Sequence, residues 1–358
     1  MKRLIKPAAL KPGDTIAAIS LSWGGPGAIP HRYEQGKRQF METFGVRVVE
    51  TPHARAKPDE LSNHPEKRLD DLIGAFKDPD IKGIVCTIGG NDTNRLIRLM
   101  TDEHYGIIRD NPKVFMGFSD TSVNHFMCYR AGLSSFYGGC FLFTFAENGG
   151  IPAYTAENIK KTLFDPRPIG VLPESPEFIV DTIDWNIKES PVRPRRAGTP
   201  WRYINGRKPA RGRLIGGCFD SFINSLNGTA LWLPAAEYED TILFLEICEE
   251  MPPPASVKCW LRLLGVQGIL DRVNGILFAR PGNDVWQNPA DADAWVARYP
   301  EYDQALLDAC REFGRTDMPI VTNMDFGHTM PQLTLPYGAL CAIDPPARSV
   351  SILDSGVE

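Results

Sequence analysis

Ser119 lies in a segment whose pattern is typical of a nucleophilic serine. The apolar residues 114–116, bounded by Asn111-Pro112 and Gly117, predict a short strand. One face of a following helix is predicted from the spacing of Val123, Phe126, Met127 and Ala131, with Gly132 as its stop. Ser119 is therefore expected on the turn between strand and helix, with the amide of Asp120 free to stabilise an oxyanion. Taken alone, this local pattern favours the simpler interpretation, in which Ser119 or Asp120 only caps the helix.

A serine nucleophile needs a base and, usually, an acid that orients the base. Among the six histidines, His328 has the position expected of a base, because it follows the predicted strand 319–322 in a strand-end loop. Glu246 ends an apolar run, so its carboxylate calls for a compensating partner. That partner is either a catalytic histidine or an arginine in a purely structural ion pair. Glu249 and Glu250, just beyond, are expected as solvent-exposed charges.

The glycine pair Gly89-Gly90 follows another predicted strand. Because glycines let a backbone approach a ligand closely, the amide of Gly90 is a candidate second oxyanion donor beside that of Asp120. The sequence contains neither G-x-G-x-x-G nor G-x-x-x-x-G-K-[ST], the patterns of nucleotide-phosphate loops, and no H-E-x-x-H or comparable metal-ligand spacing. We therefore expect a mechanism that needs neither a metal nor a cofactor.

The elements that must position these residues differ between the two halves of the chain. Residues 1–150 alternate strand and helix signals, which predicts β-α-β units and a parallel sheet covered on both faces. Strands are predicted at 15–20, 46–49, 81–88 and 114–116, and helices at 33–44, 69–76, 96–100 and after Ser119. Ligands gather at the carboxyl ends of such strands, which is where the glycine pair and Ser119 are expected.

The second half is richer in strand signals. Strands are predicted at 241–245, 275–279, 319–322, 333–335, 339–343 and 350–353, with a loop at 212–217 and a helix near 219–226. Between the halves, residues 151–200 hold eight of the thirty prolines and show weak periodicity, as expected of a domain connection. We predict an N-terminal α/β domain (1–170), a connecting segment (171–205) and a C-terminal strand-rich domain (206–358).

The composition fits a globular protein of about two domains, with 358 residues, 43% of them hydrophobic and 23% charged. A net charge of −5 gives no sign of a nucleic-acid partner. One basic cluster is interpreted as a solvated segment or as the rim of a site for an anionic substrate. It comprises Arg193, Arg195, Arg196, Arg202, Arg207, Lys208, Arg211 and Arg213.

Nothing in the sequence predicts a membrane partner. No segment approaches the roughly 20 apolar residues needed to span a bilayer, and residues 16–21 are too short for the core of a signal peptide. The eight cysteines stand singly, without a C-x-x-C pair, and are expected as reduced, mostly buried small hydrophobes. We expect a cytoplasmic protein.

Five motifs together resemble the S66 family of serine peptidases, which contains the L,D-carboxypeptidases of murein recycling and the microcin C immunity peptidases. The motifs occur in family order and span about two-thirds of the chain. They are Thr87-Ile88-Gly89-Gly90-Asn91, Gly117-Phe118-Ser119-Asp120, Gly212-Arg213-Leu214-Ile215-Gly216-Gly217, Leu243-Phe244-Leu245-Glu246 and Asp325-Phe326-Gly327-His328-Thr329.

The resemblance implies a catalytic triad of Ser119, Glu246 and His328, with backbone amides near Gly90 and Asp120 as the oxyanion hole. It implies a flavodoxin-like parallel-sheet domain followed by a strand-rich α/β domain, a site in the cleft between them, and a homodimer. The implied activity is that of a metal-independent serine carboxypeptidase working through an acyl-enzyme. The bond cleaved would be an amide next to a free carboxylate or within a peptide-nucleotide conjugate.

The resemblance also assigns substrate contacts to Gly89, Asn91, Trp185, Trp201 and Gly217. Residues 88–91 look like the immunity branch, since murein L,D-carboxypeptidases tend to carry an arginine before the glycine pair. Trp185 and Trp201 resemble the aromatic loop with which that branch stacks a nucleobase, the alternative being interdomain packing. Two departures leave the substrate open: Cys218 stands where asparagine is common, and residues 280–284 lack the His-Glu of immunity members.

Two other classes of protein are compatible with parts of this pattern. An α/β-hydrolase esterase shares the order serine, acid, histidine, but Thr121 replaces the second glycine of G-x-S-x-G and no His-Gly-Gly-Gly motif is present. A two-domain small-molecule binding protein would have the same cleft without the chemistry.

Overall fold

The computed structural model describes residues 3–282 and 291–358. Its strands are β1 (Thr15–Ile19), β2 (Arg47–Glu50), β3 (Ile81–Cys86), β4 (Val114–Gly117), β5 (Phe136–Tyr137), β6 (Gly170–Val171), β7 (Glu177–Phe178), β8 (Arg196–Ala197), β9 (Arg202–Asn205), β10 (Ala210–Cys218), β11 (Thr241–Glu246), β12 (Val273–Ala279), β13 (Ile320–Met324), β14 (Leu335–Pro336), β15 (Leu340–Asp344) and β16 (Ser349–Ile352). Its α-helices are α1 (Gly25–Ala28), α2 (Pro30–Phe44), α3 (Pro58–Asn63), α4 (Pro65–Lys77), α5 (Asp102–Asp110), α6 (Ser122–Ala131), α7 (Ala153–Ile159), α8 (Phe219–Ser221), α9 (Pro254–Val266), α10 (Ala292–Ala297) and α11 (Tyr299–Glu312). Short 3-10 turns cover Thr93–Arg98, Ser119–Thr121 and Ala235–Tyr238, and π-helical turns cover Phe141–Phe145, Lys160–Phe164 and Phe222–Leu226.

The first sheet has the strand order β14-β5-β4-β3-β1-β2. Each pair of neighbouring strands is parallel, with the exception of the antiparallel pair β14–β5. The five parallel strands have the 2-1-3-4-5 order of flavodoxin-like sheets. Every residue of β4 is buried, as expected of a strand in a sheet covered by helices on both faces. The predicted N-terminal α/β fold is therefore confirmed.

The second sheet has the order β6-β16-β15-β10-β11-β12-β13-β9. Strands β10 to β13 run parallel, and antiparallel strands complete both sides. The prediction of a second, strand-rich α/β domain is confirmed. The segment predicted as a connection contributes β9 at one edge of this sheet and forms the β7–β8 hairpin. Its limits at 171 and 205 stay a prediction.

Three predicted elements differ from the structure. Residues 212–217 are not a loop but part of β10, because backbone hydrogen bonds to β11 and β15 hold this glycine-rich run extended. The strand predicted at 333–335 is β14, and it belongs to the first sheet, where it pairs with β5 and covers an edge that would otherwise be unpaired. The helix predicted at 96–100 is the short 3-10 turn Thr93–Arg98.

Helix α6 follows Ser119 and packs between the two domains. It contacts α5 of the first domain and β10 of the second, and all of its residues except Arg130 are buried. Gly132 ends the helix with φ 88°, so the predicted stop is confirmed. The helix thereby fixes the position of Ser119 relative to the second sheet.

Each described cysteine is a free thiol, and all of them except Cys259 are buried, as predicted. None of the helices in the described ranges combines the length and apolar character needed to cross a bilayer.

Candidate active site

Ser119 directly follows β4 and begins the short turn that leads into α6. Its φ of 64° lies in the left-handed region, a strained conformation that non-glycine residues adopt mainly at functional sites. Gly89 makes room for it, since an added Cβ there would lie 2.9 Å from Ser119 Cβ and 3.3 Å from the amide nitrogen of Asp120. The serine therefore stands on a sharp turn against the glycine pair.

Three predicted side chains from two domains meet at this turn. His328 Nε2 lies 3.0 Å from Ser119 Oγ, and His328 Nδ1 lies 2.6 Å from Glu246 Oε2. Glu246 is the last residue of β11, and His328 lies in the loop after β13. In the second sheet β12 alone separates these two strands. The imidazole thus bridges hydroxyl and carboxylate in the order that proton transfer from a serine requires.

Tyr137, which sequence reasoning missed, completes this group. Its hydroxyl donates a hydrogen bond to Glu246 Oε1 and accepts one from the amide of Ser119, at 3.1 Å. Glu246 is fully buried, and each of its two oxygens has a partner. Tyr137 ends β5, beside β4, so only the pairing of these strands could have revealed its place.

The imidazole of His328 also contacts a second carboxylate. Glu249 Oε2 lies 3.0 Å from His328 Nε2. Burial by itself lowers the pKa of His328, but the charges of Glu246 and Glu249 outweigh burial and raise the pKa well above 6.5. Glu249, predicted as a solvent-exposed strand-end charge, keeps 36% of its side chain exposed, but its Oε2 is buried against the imidazole.

The amides of Gly90 and Asp120 lie beside Ser119. Gly90 has φ 148°, and an added Cβ there would clash with Ser22 and with the amide nitrogen of Trp23 at 2.9 Å. The amide of Asp120 is in the first turn of a helix, where backbone N–H groups have no intrahelical acceptor. The Asp120 carboxylate is buried and accepts hydrogen bonds from Ser22 Oγ at 2.6 Å and Thr93 N at 2.9 Å. These two hydrogen bonds fix the turn that carries Ser119 to the neighbouring loops.

An open cavity of about 620 Å³ lies over Ser119. Its walls are largely apolar and aromatic, and the predicted connecting segment forms one of them. The lining residues are Ile88, Gly89, Gly90, Phe118, Ser119, Phe143, Val180, Thr182, Ile183, Trp185, Arg193, Glu249 and His328.

Trp185 lines this cavity, and its contact with a substrate stays a prediction. The guanidinium of Arg32 lies 4.6 Å from the centre of its ring, and the carbonyl of Trp185 lies 3.0 Å from His31 Nε2. Arg193 is nearly buried in the same wall and forms a bidentate ion pair with Glu147, with Nε to carboxylate distances of 3.1 and 3.2 Å. The one member of the basic cluster that lines the cavity is thus already neutralised, as far as the described residues show.

Two residues predicted as substrate contacts lie away from the cavity. Trp201 is buried, with 1% of its surface exposed, and donates from Nε1 to Asp325 Oδ2 at 2.7 Å, so it packs as the alternative interpretation held. Gly217 faces α6, where an added Cβ would lie 2.6 Å from Ser122 Oγ, so the glycine lets β10 approach that helix. Asn91 lies in a second cavity on the other side of Ser119.

Cys218 Sγ lies within 4.8 Å of potential metal-ligand atoms of Glu246 and His328. We do not assign a metal site here, because both oxygens of Glu246 and both nitrogens of His328 already have partners. Burial and the neighbouring Cys248, Glu246 and Asp220 raise the pKa of Cys218 well above 9, so the sulfur is a thiol rather than the thiolate that binds metals.

Arg280, at the end of β12, is fully buried and lies 2.9 Å from Asp325. It also donates to the carbonyls of Asn323 and Thr199, at 2.8 and 3.0 Å. It therefore joins the second sheet to the connecting segment. Residues 283 and 284, where the sequence departs from immunity members, lie outside the described residues.

The remaining histidines do not reach Ser119. His125, on α6, is buried between Ser135 Oγ and the carbonyl of Gly117, at 2.8 and 2.9 Å. His53 pairs with Asp71, and His64 with Glu66.

Two family models match the chain over more than half of its length. Residues 16–138 match the LD-carboxypeptidase N-terminal domain of peptidase family S66, and residues 211–343 match the LD-carboxypeptidase C-terminal domain of the same family. The chain belongs to the S66 peptidases and is a serine-type carboxypeptidase. The esterase and the non-catalytic binding protein are thereby set aside.

Individual relatives come from both branches of this family. Microcin C7 self-immunity protein MccF of Escherichia coli is 27% identical over 354 residues, which cover 97% of this chain and 95% of MccF. The probable murein peptide carboxypeptidase of Bacillus subtilis is 25% identical over 354 residues, which cover 98% and 95%. The crystal structure of an MccF-like protein from Streptococcus pneumoniae in complex with AMP superposes with a TM-score of 0.82 at 28% identity, covering 95% of this chain and 98% of that one.

Proposed function

We propose that the protein hydrolyses an amide bond by nucleophilic catalysis with Ser119 as nucleophile, His328 as general base and Glu246 as the group that orients the base. The observation that carries this proposal is the bridging imidazole, 3.0 Å from the serine hydroxyl and 2.6 Å from the buried carboxylate. The strained backbone of Ser119 supports it, because such strain is stored where function requires it.

The reaction proceeds in two halves. His328 Nε2 takes the proton of Ser119 as Oγ bonds to the substrate carbonyl carbon, and the imidazolium then gives this proton to the leaving nitrogen as the C–N bond breaks. A water molecule, deprotonated by the same imidazole, then bonds to the carbonyl carbon of the acyl-enzyme. The bond from this carbon to Oγ breaks, the imidazolium returns its proton to Ser119, and the acid is released. The amides of Gly90 and Asp120 stabilise the oxyanion in both halves.

The mechanism is proposed to be metal-independent. This rests on the donor atoms themselves, since Glu246 and His328 are engaged in hydrogen bonds to each other, to Tyr137 and to Ser119. The proton transfers need no further group.

The substrate that the cavity supports best is an aminoacyl or peptide group joined to a nucleotide. Phe143 and Trp185 offer flat apolar surfaces, with ring centres 6.4 Å apart, on which a nucleobase can stack. Arg193, the one arginine or lysine among the described lining residues, is paired with Glu147, so no guanidinium or ammonium group of the lining is free for a substrate carboxylate. A related MccF-like protein was crystallised with AMP, which agrees with this choice. Homodimer formation and a cytoplasmic location stay predictions from the sequence.

The test compares two substrates and two variants by mass spectrometry. Wild type, Ser119→Ala and, as a control, Ser256→Ala in the first turn of α9 are incubated with alanyl-sulfamoyl adenosine and with murein tetrapeptide. We expect cleavage of the nucleotide conjugate, lost at least about 1,000-fold in Ser119→Ala and retained in Ser256→Ala. Equal cleavage by Ser119→Ala would remove this serine from the mechanism, and cleavage of the tetrapeptide alone would replace the proposed substrate.

A further inference from the structure

Glu249 stands where two cavities meet at Ser119. It lines the apolar cavity described above and also a second cavity of about 710 Å³ on the other side of the nucleophile, which we call the acidic cavity. The acidic side chains that line it are Asp120, Asp220, Glu249 and Glu250, and none of its described lining residues is a lysine, an arginine or a histidine. A substrate bound across Ser119 places groups in both cavities.

Two carboxylates of the acidic cavity have a buried oxygen that accepts no hydrogen bond from the described residues, Asp120 Oδ1 and Glu249 Oε2. Asp120 accepts hydrogen bonds from Ser22 and Thr93, Asp220 accepts one from the amide of Cys248 at 3.2 Å, and Glu250 is exposed. Glu249 Oε2 is the oxygen that lies against the imidazole, 3.0 Å from His328 Nε2. A buried acceptor without a donor is costly unless a ligand supplies one.

Glu249 carries its negative charge in this position. Burial alone raises the pKa of its carboxyl, but the imidazolium of His328 outweighs burial and holds the pKa below its usual range. The contact between Oε2 and His328 Nε2, at 3.0 Å, does not have the direction of a hydrogen bond. The carboxylate is therefore charged, buried at one oxygen and open to an N–H donor that also bears a positive charge.

The distance from Ser119 selects which part of a substrate can supply that donor. Ser119 Oγ and Glu249 Oε2 each lie 3.0 Å from His328 Nε2, so they are at most about 6 Å apart. In an amino acid the α-nitrogen lies about 2.5 Å from the carbonyl carbon. With that carbon about 3 Å from Oγ, the α-nitrogen can lie within hydrogen-bond reach of Oε2.

We propose that Glu249 binds the free α-ammonium group of the residue whose carbonyl Ser119 attacks, so that the enzyme acts on aminoacyl conjugates rather than on conjugates of a longer or N-blocked peptide. This inference rests on the proposed function and narrows its substrate class. The ion pair also draws Glu249 away from Nε2, which leaves this nitrogen to Ser119. Glu249 is thus a specificity-determining residue for the acyl group.

The experiment uses alanyl-sulfamoyl adenosine and its N-acetyl derivative, which differ at the α-nitrogen alone. The ratio of their kcat/KM values is measured for wild type, Glu249→Gln, Glu249→Asp and a control, Glu239→Gln, which removes a surface carboxylate paired with Arg272. We expect wild type and the control to prefer the free amine at least about 30-fold and Glu249→Gln to lose most of that preference. Because both substrates meet the same enzyme preparation, the ratio is independent of the fraction that is folded.

Two outcomes would overturn the inference. A preference that persists unchanged in Glu249→Gln, or no preference in wild type, would show that Glu249 does not bind the α-ammonium, while hydrolysis that depends on Ser119 would leave the proposed function standing. Cleavage of neither compound by wild type would refute the proposed function and this inference together. Glu249→Asp, which keeps the charge but withdraws it from the site, should give an intermediate ratio.

Discussion

The imidazole of His328 lies among three oxygens, the hydroxyl of Ser119 and the carboxylates of Glu246 and Glu249. Glu246 contacts Nδ1, so in the proposed mechanism it orients the ring and stabilises the imidazolium. Glu249 touches Nε2, the nitrogen that must be free of its proton when the reaction begins. In the unbound enzyme the second carboxylate therefore stabilises the protonated, inactive form of the base.

Removal of the charge of Glu249 should move the pH dependence of the reaction. The charges of Glu246 and Glu249 raise the pKa of His328 above 6.5 against the effect of burial, so activity should increase with pH through that raised pKa. In Glu249→Gln one of the two charges is gone, and the acidic limb of kcat/KM against pH should shift to lower pH. The control, Glu239→Gln, should leave the acidic limb at the same pH as in wild type. An unshifted acidic limb in Glu249→Gln would show that Glu249 does not influence the base.

At the level of the elements, β10 decides how closely the two domains approach each other. Gly216 pairs with Phe244 of β11, and Gly217 faces Ser122 of α6. Ser122 Oγ donates to the carbonyl of Ser119 at 2.7 Å and accepts from the amide of Cys218 at 3.0 Å. A single side chain, that of Ser122, thus connects the end of β10 to the backbone of Ser119 by two hydrogen bonds.

A side chain at Gly216 should disrupt this sheet. An added Cβ would overlap the carbonyl oxygen of Phe244, a backbone atom that cannot swing away. Gly216→Ala should lower the free energy of unfolding by about 3 kcal/mol or more, measured by urea denaturation.

Gly228→Ala is the matched control for that substitution. Gly228 has φ 79° with no atom within 4 Å of an added Cβ, so alanine there costs only the left-handed conformation, about 1–2 kcal/mol. If Gly216→Ala and Gly228→Ala lowered the free energy of unfolding by the same amount, β10 would be shown to tolerate the added side chain.

At the level of the whole molecule, the segment between the domains is both a wall of the cavity and a part of the second domain. Its anchor is Asp325, whose Oδ2 accepts hydrogen bonds from Trp201 Nε1 at 2.7 Å and from the amide of Ser175 at 3.0 Å, while Oδ1 lies 2.9 Å from Arg280. The middle of the segment, between these two anchored residues, carries Trp185 into the cavity. The position of this cavity wall therefore depends on a buried ion pair whose two residues do not line the cavity.

Neutralisation of Asp325 should destabilise the protein and loosen this wall. Asp325→Asn leaves Arg280 buried without its charge partner, which should cost about 3–5 kcal/mol in the free energy of unfolding. In urea denaturation, Asp293→Asn, which removes a carboxylate that is 83% exposed and paired with Arg196 of the same segment, should change little. A similar small effect for Asp325→Asn would contradict the anchoring role.

The sequence by itself predicted the fold class, which the structure confirms, and the three residues of the proposed triad. Short-range patterns sufficed for β4, for the turn at Ser119 and for the helix stop at Gly132, since strand, turn and cap each depend on neighbours in the chain. The order of motifs supplied the pairing of Ser119 with Glu246 and His328, which lie 127 and 209 positions farther along.

Only the tertiary structure decided the surroundings of those residues. Tyr137 and Glu249 reach the imidazole, and Trp201 stays in the core while Trp185 enters the cavity, because strands from distant parts of the chain pair in two sheets. Burial and charge at a site are sums over such distant neighbours, and no local pattern encodes them. The proposed nucleophile could therefore be predicted from the chain, whereas the groups that surround it depend on how the two domains pack against each other.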